Sequence, residues 1–191
     1  MEIVLFILIA ITLVAGVYAI VIYNGLVSLK HAYKKAWANI DVLLKQRHDE
    51  IPKLVSVVQE YAKYEQETLD KVMQARASIY SARENGDVAG VGAGESMLRM
   101  GLGNLFAVAE NYPELKANES FQHLQHRISG LENSIADRRE YYNEAVNNNN
   151  IRIEQFPDVI IARFFNFNSA ELLEFSEEEI KDVDVKALFN S

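Results

Sequence analysis

Residues 3–23 read IVLFILIAITLVAGVYAIVIY, with no charged side chain among them. Wound as an α-helix, a run of this length rises about 30 Å, the thickness of the hydrocarbon core of a bilayer. The stretch predicts a single transmembrane helix, with the remaining chain as a domain held beside a membrane. A secretory leader fits poorly. Glu2 is the only charge ahead of the core, and the core ends Tyr18-Ala19-Ile20-Val21-Ile22-Tyr23 without the small residues a cleavage site needs. A buried helix of a soluble domain fits poorly too, because an uninterrupted apolar run this long belongs in lipid. No base precedes the span, whereas Lys30, Lys34 and Lys35 follow it closely. That asymmetry predicts an amino terminus outside and a carboxyl-terminal domain in the cytoplasm of a single-pass cell-membrane protein. Tyr18 and Tyr23 then fall at the inner interface.

Composition narrows the functional classes. The 191 residues carry a formal net charge of −8, and the last segment, from Asp158 onward, is the most acidic. Nucleic acid is not an expected partner, since phosphate binding needs a basic face and none is visible. There is no cysteine, so disulfides, thiolate metal sites and redox motifs are excluded.

Below the span the apolar period becomes that of an amphipathic helix. Leu26, Leu29, Tyr33, Ala36, Ile40, Leu43 and Arg47 step by three and four, so the anchor helix is expected to continue past a bend at Asn24–Gly25. Trp37 lies too far beyond the span for an interfacial belt and is expected in the core. Pro52, with Asp49 as a cap, predicts a new helix carrying Leu54, Val58, Tyr61, Thr68, Val72, Ala75 and Ile79 as far as Glu84. The glycine-rich stretch from Asn85 to Gly94 reads as a flexible connector; no strand precedes it and no Gly-Lys-Ser/Thr follows, which argues against a nucleotide loop. A shorter helix is expected from Glu95 to Glu110. A long one follows, carrying Phe121, Leu124, Ile128, Leu131, Ile135, Arg138, Tyr142 and Ala145 until Phe156-Pro157 ends it.

The pattern predicts an all-α protein: one amino-terminal transmembrane helix continuing into an elongated antiparallel cytoplasmic helical bundle. Its segments are an anchor at 1–24, the bundle at 25–157, and an aromatic-rich segment with an acidic tail at 158–191. The aromatic run from Val159 to Phe167 reads as a terminal helix packed on the bundle or as a hook for a neighbouring copy or the bilayer surface. The Glu177-Glu178-Glu179 run reads as a solvated tail.

Several words in these helices resemble the LemA family of bacterial membrane-anchored proteins. They include Ala36-Trp37, Ile40-Asp41-Val42, Arg47-His48-Asp49, Ile51-Pro52, Tyr61-Ala62, Thr68-Leu69 and Ala75-Arg76-Ala77. Further along come Tyr112-Pro113, Leu115-Lys116-Ala117-Asn118, Glu132-Asn133, Ile135-Ala136, Tyr142-Asn143, Ala145-Val146 and Phe156-Pro157. The resemblance covers about residues 24–167 and departs from the family pattern at Gln46, Glu50 and Asn149 and in the tail after Asn168. It implies an amino-terminal membrane helix and an α-helical cytoplasmic domain; it implies no reaction, so no active-site residue carries over.

Residue chemistry agrees that no enzyme is evident. His123 and His126 share part of a face with Glu119, but no Glu-x-x-His pairs or His-Glu-x-x-His motif exist, so no metal and no cofactor are expected. Gly94-Glu95-Ser96-Met97 lacks the second glycine of a nucleophile elbow. The seam charges Asp41, Arg47, Glu65, Arg76, Glu132 and Arg138 read as a structural polar network, because a buried charge without a partner is costly. Thr12-x-x-x-Gly16 and Ala15-x-x-x-Ala19 let membrane helices approach closely. With Phe164, Phe165 and Phe167 they are the expected contacts to other copies or to lipid. The functional expectation is a non-catalytic scaffold, a homo-oligomer on the bilayer that organises or shapes a membrane patch. The rival is an adaptor presenting its bundle to an unidentified membrane partner, such as a protease, a transporter or an envelope-stress system.

Overall fold

The computed structural model describes residues 1–175; the Glu177–Glu179 run lies outside them. Among the described residues all regular structure is helical: α1 (Glu2–Tyr61), α2 (Gln66–Glu84), α3 (Val88–Ala109), α4 (Pro113–Lys116), α5 (Glu119–Glu154) and α6 (Asp158–Phe164). The described residues form two compact units: Met1–Ile40 with Asp137–Leu172, and Asp41–Ala136 with the described residues from Leu173 onward.

In the first unit α1 passes through Asn24 and Gly25 without interruption. An 18-residue apolar stretch of α1 contains no buried residue, whereas Ile22, at the end of the apolar run, and Leu26 beyond it form a buried cluster with Ile153 and Ala162. Further along, Trp37 packs against Tyr142 in a tilted pair with ring centroids 5.3 Å apart. These two contacts fix α5 antiparallel to α1. A cis bond joins Phe156 to Pro157 between α5 and α6. Asn166 then stops α6. With a left-handed φ of 55°, it lets the Phe167 amide reach back to the Ala162 carbonyl at 2.9 Å, the Schellman arrangement, which Asn tolerates better than most residues. The chain afterwards runs back along α5. Asn150 donates to and accepts from the Ala170 backbone, at 2.9 Å each, and the Tyr142 hydroxyl donates to the Glu171 carbonyl at 2.8 Å.

The second unit packs the latter part of α1, α2, α3, α4 and the first half of α5 around Leu44, Ile51, Leu54, Val58, Leu69, Val72, Leu98, Leu102, Leu105, Phe121 and Ile128. Two sequence expectations fail here for a physical reason. Pro52 does not begin a helix; it lies inside α1, and the break falls at 62–65 instead. A proline cannot donate to the carbonyl four residues earlier. That carbonyl, on His48, receives the Arg76 Nε of α2 at 2.9 Å instead. The glycine-rich stretch is not a connector either. Gly86, at φ +68°, ends α2, Asp87 caps α3 by accepting from the Gly90 amide at 2.8 Å, and Gly90, Gly92 and Gly94 are helical. A Cβ on Gly94 would lie 2.7 Å from Ile79 Cγ1, and one on Gly92 would lie 2.0 Å from the Glu174 carbonyl oxygen. Close approach of α3 to its neighbours thus outweighs the helix-weakening effect of glycine, about 1 kcal/mol per residue.

Candidate functional site

Two regions gather the side chains of functional interest, one in each unit. In the second unit Arg47, only 3% exposed, is ion-paired through Nη2 with Glu95, 4% exposed. Its Nη1 lies 3.9 Å from Glu132 Oε1. Arg99, Asn133, Ile135, Ala136 and Phe175 complete the walls of a small cavity of about 60 Å³ beside this pair. One turn away on α1, buried Glu50 receives Lys53 and Arg127, each at 3.1 Å. Asp41 pairs with Arg83, which holds the guanidinium pKa above its usual value.

Arg76 performs two tasks. Besides binding the His48 carbonyl, its Nη2 lies 2.6 Å from the His48 Nε2, and the imidazole stacks on Tyr80 at 5.0 Å. A guanidinium only donates, so Nε2 must accept and the ring is neutral; burial first, then the Arg76 charge, pushes the His48 pKa down. At the turn between α1 and α2, Glu65 accepts from the Tyr112 hydroxyl at 3.3 Å; burial and the Glu65 charge raise the tyrosine's pKa.

Of the seam charges named from sequence, Arg47 and Glu132 therefore lie side by side, while Asp41, Arg76 and Glu65 each engage a different partner. Arg138 is exposed on α5. Sequence reasoning missed Glu95 and Glu50 as members of this set. Glu95 stands in phase with Val91, Leu98, Leu102 and Leu105, all buried, and an acid in an apolar seam was the available signal. Among the described residues no three or more His, Asp or Glu side chains are gathered for a metal ion; His123 lines an open hollow with Glu119, Ser120 and Leu124.

In the first unit the residues of interest surround the end of the apolar segment. Thr12, Ala15 and Gly16 are exposed and Ala19 is nearly so. The Thr12 hydroxyl donates to the Leu8 carbonyl at 2.8 Å, and a Cβ on Gly16 would meet nothing within 4 Å. Ala10, Ile11, Val14, Ala15 and Tyr18 line a shallow apolar hollow there. At the foot of the segment Tyr23 meets Phe165 at 4.7 Å and Phe167 at 5.8 Å, and Phe164 meets Phe165 at 4.9 Å. The three phenylalanines divide in role: Phe167 packs on the buried cluster with the Lys30 ammonium 5.7 Å over its ring, whereas Phe164 and Phe165 face outward. Arg152 Nε donates to Asp158 at 2.9 Å, holding the start of α6 to α5. Tyr142, buried and beside Tyr33 and Glu171, has its pKa pushed up to about 12, so it remains a neutral donor.

The sequence profile of the LemA family matches residues 36–187, running through the tail that the sequence words left out. The magnetosome proteins MamQ 2 and MamQ 1 of Paramagnetospirillum magneticum are each 24% identical to this chain over 186 residues, an alignment covering 85% of this chain and 68% of the relative. Magnetosome protein MamQ of Magnetospirillum gryphiswaldense is 22% identical with the same coverage, 85% and 68%.

Proposed function

Since this chain belongs to the LemA family, we propose that it is a membrane-anchored, non-catalytic scaffold that self-associates and so organises a patch of bilayer from its cytoplasmic side. The observation that carries the reading is the way the anchor joins the first unit. The apolar segment is no loose tether: its helix continues through Gly25, and Ile22 and Leu26 are buried under α5 and α6. Whatever fixes the rotation of one anchor against another therefore also fixes how neighbouring first units face each other. The anchor offers a surface for such packing, with open space at Gly16 and small side chains at Ala15 and Ala19, where helices in lipid approach closely. Thr12 brings no unsatisfied hydroxyl to that surface, because its proton is given to its own helix. The names of the relatives carry no reaction, and the charged groups of the second unit are largely engaged with one another, which supports a structural role.

The test is the mass of the full-length protein in mild detergent and in lipid nanodiscs, beside Gly16→Ile. A discrete multi-subunit species that Gly16→Ile reduces to monomer is expected. A wild-type monomer at high concentration overturns the reading. An adaptor is the second reading, favoured by Tyr64, 95% exposed at the turn after α1, a position where an aromatic side chain suits a protein partner. A monomer that holds one membrane protein through purification, and loses it on Tyr64→Ser, is its signature.

A further inference from the structure

We propose that α6 and the residue leading into it form a second membrane contact, an apolar stripe lying in the headgroup boundary of the bilayer that the anchor crosses. Ile160 and Phe164 stand one turn apart on α6 and are 56% and 77% exposed, Phe156 in the turn ahead of the helix is 81% exposed, and Asp158 and Ala162 of the same helix are buried. Two large apolar side chains on one face of α6, with a third exposed just ahead of it, need a cover.

Geometry selects the cover. Phe165 touches Tyr23, the last residue of the apolar run before Asn24, and Phe164 touches Phe165. Ala162 is buried against Ile22 and Leu26. The stripe thus sits beside the point where the anchor leaves the hydrocarbon core, at the depth where aromatic side chains collect and where interfacial helices bury their apolar faces about 5–10 Å deep. The charge is compatible: Lys30 and Arg163 are exposed around the same end of the unit, where they favour anionic headgroups, and Arg152 there neutralises Asp158. Phe167, turned inward by the Asn166 stop, is the residue that ties the stripe to the anchor.

The inference rests on the anchor crossing the bilayer and is independent of self-association, since one copy suffices. It is tested with the full-length chain in nanodiscs of phosphatidylethanolamine and phosphatidylglycerol loaded with a single copy. The chain has no native cysteine, so a nitroxide can be attached at Ile160→Cys or Phe164→Cys alone, with Val17→Cys as a lipid reference and Asp137→Cys as an aqueous one. The readout is the ratio of collision rates with oxygen and with a water-soluble nickel complex. A ratio at 160 and 164 several-fold above that at 137, approaching that at 17, is expected. A ratio equal to that at 137 overturns the proposal. So does a label that becomes shielded only in discs holding several copies, because a second copy is then the cover. Circular dichroism of each labelled protein identifies any variant that has not folded, and the two stripe positions serve as replicates of one another.

Discussion

The two units solve the problem of polar and apolar surface in opposite ways. The second turns charge inward, burying Arg47, Glu50 and Glu95 and answering them with other side chains. The first turns apolar surface outward, in the anchor and along Phe156, Ile160 and Phe164, and binds its returning chain by neutral hydrogen bonds from Asn150 and Tyr142 to the backbone. Buried ion pairs are a poor source of net stability, but they penalise every arrangement that separates the partners. The second unit is thereby built around one helix register. The first is built for a surrounding that is not water, and it holds its returning chain through the main chain.

The sharpest way to break this contrast is Arg47→Met, which leaves Glu95 without its partner in the core. A loss of about 3–5 kcal/mol is expected for removing one member of a buried pair, read by chemical denaturation. Adding Glu95→Gln restores a substantial part, because the uncompensated charge is gone. If the single and double variants unfold alike, the pair is not the origin of the loss. Next in size is a matched set of glycines. Gly92→Ala drives a Cβ onto a backbone carbonyl at Glu174 and is expected to cost about 1–3 kcal/mol as overpacking. Gly130→Ala, in the interior of α5 with nothing within 4 Å, is expected to stabilise by about 0.5–1 kcal/mol. Equal signs for the two would remove close packing as the reason that α3 is rich in glycine.

The same pair of glycine environments shows what the sequence could disclose. The anchor, the heptad-like seams and the end of α5 near Phe156 are legible because each is a periodic or compositional signal within one stretch of chain. The path of α1 through Pro52 is not, since the group that rescues the orphaned His48 carbonyl stands on another helix at Arg76. The helical state of Gly90 to Gly94 is hidden for the same reason: a missing Cβ means flexibility or close approach depending on a neighbour such as Ile79. Glu95 could have been found from its phase in the α3 seam, but its partner could not. The inward turn of Phe167 beside an outward Phe164 follows from one left-handed residue, Asn166.

In the first unit the matching test is Asn150→Ala. It deletes both bonds to Ala170 and leaves that backbone unanswered, worth about 1–3 kcal/mol where the groups are desolvated. The effect is expected to be local, with faster hydrogen exchange around Ala170 and little change at Leu98 or Leu102. Uniform acceleration across both units would mean that the returning chain is not a separate clamp.

The smallest effect concerns His48, an imidazole held neutral by its surroundings. Facing it are Arg76 and Tyr80 from α2, with Asp49 and Arg83 contributing charge of either sign. Its folded pKa is lowered from 6.5, so on acidification the unfolded chain takes up a proton that the folded chain resists. Stability is therefore present in full above the unfolded pKa and is lost as pH falls through 6.5 towards the lower folded value. His48→Gln keeps an acceptor for Arg76 and is expected to flatten that part of the pH profile. The measurement is the denaturation midpoint of the two proteins between pH values bracketing the histidine range. A slope that survives unchanged in the variant would show that the neutral His48 ring is not its source.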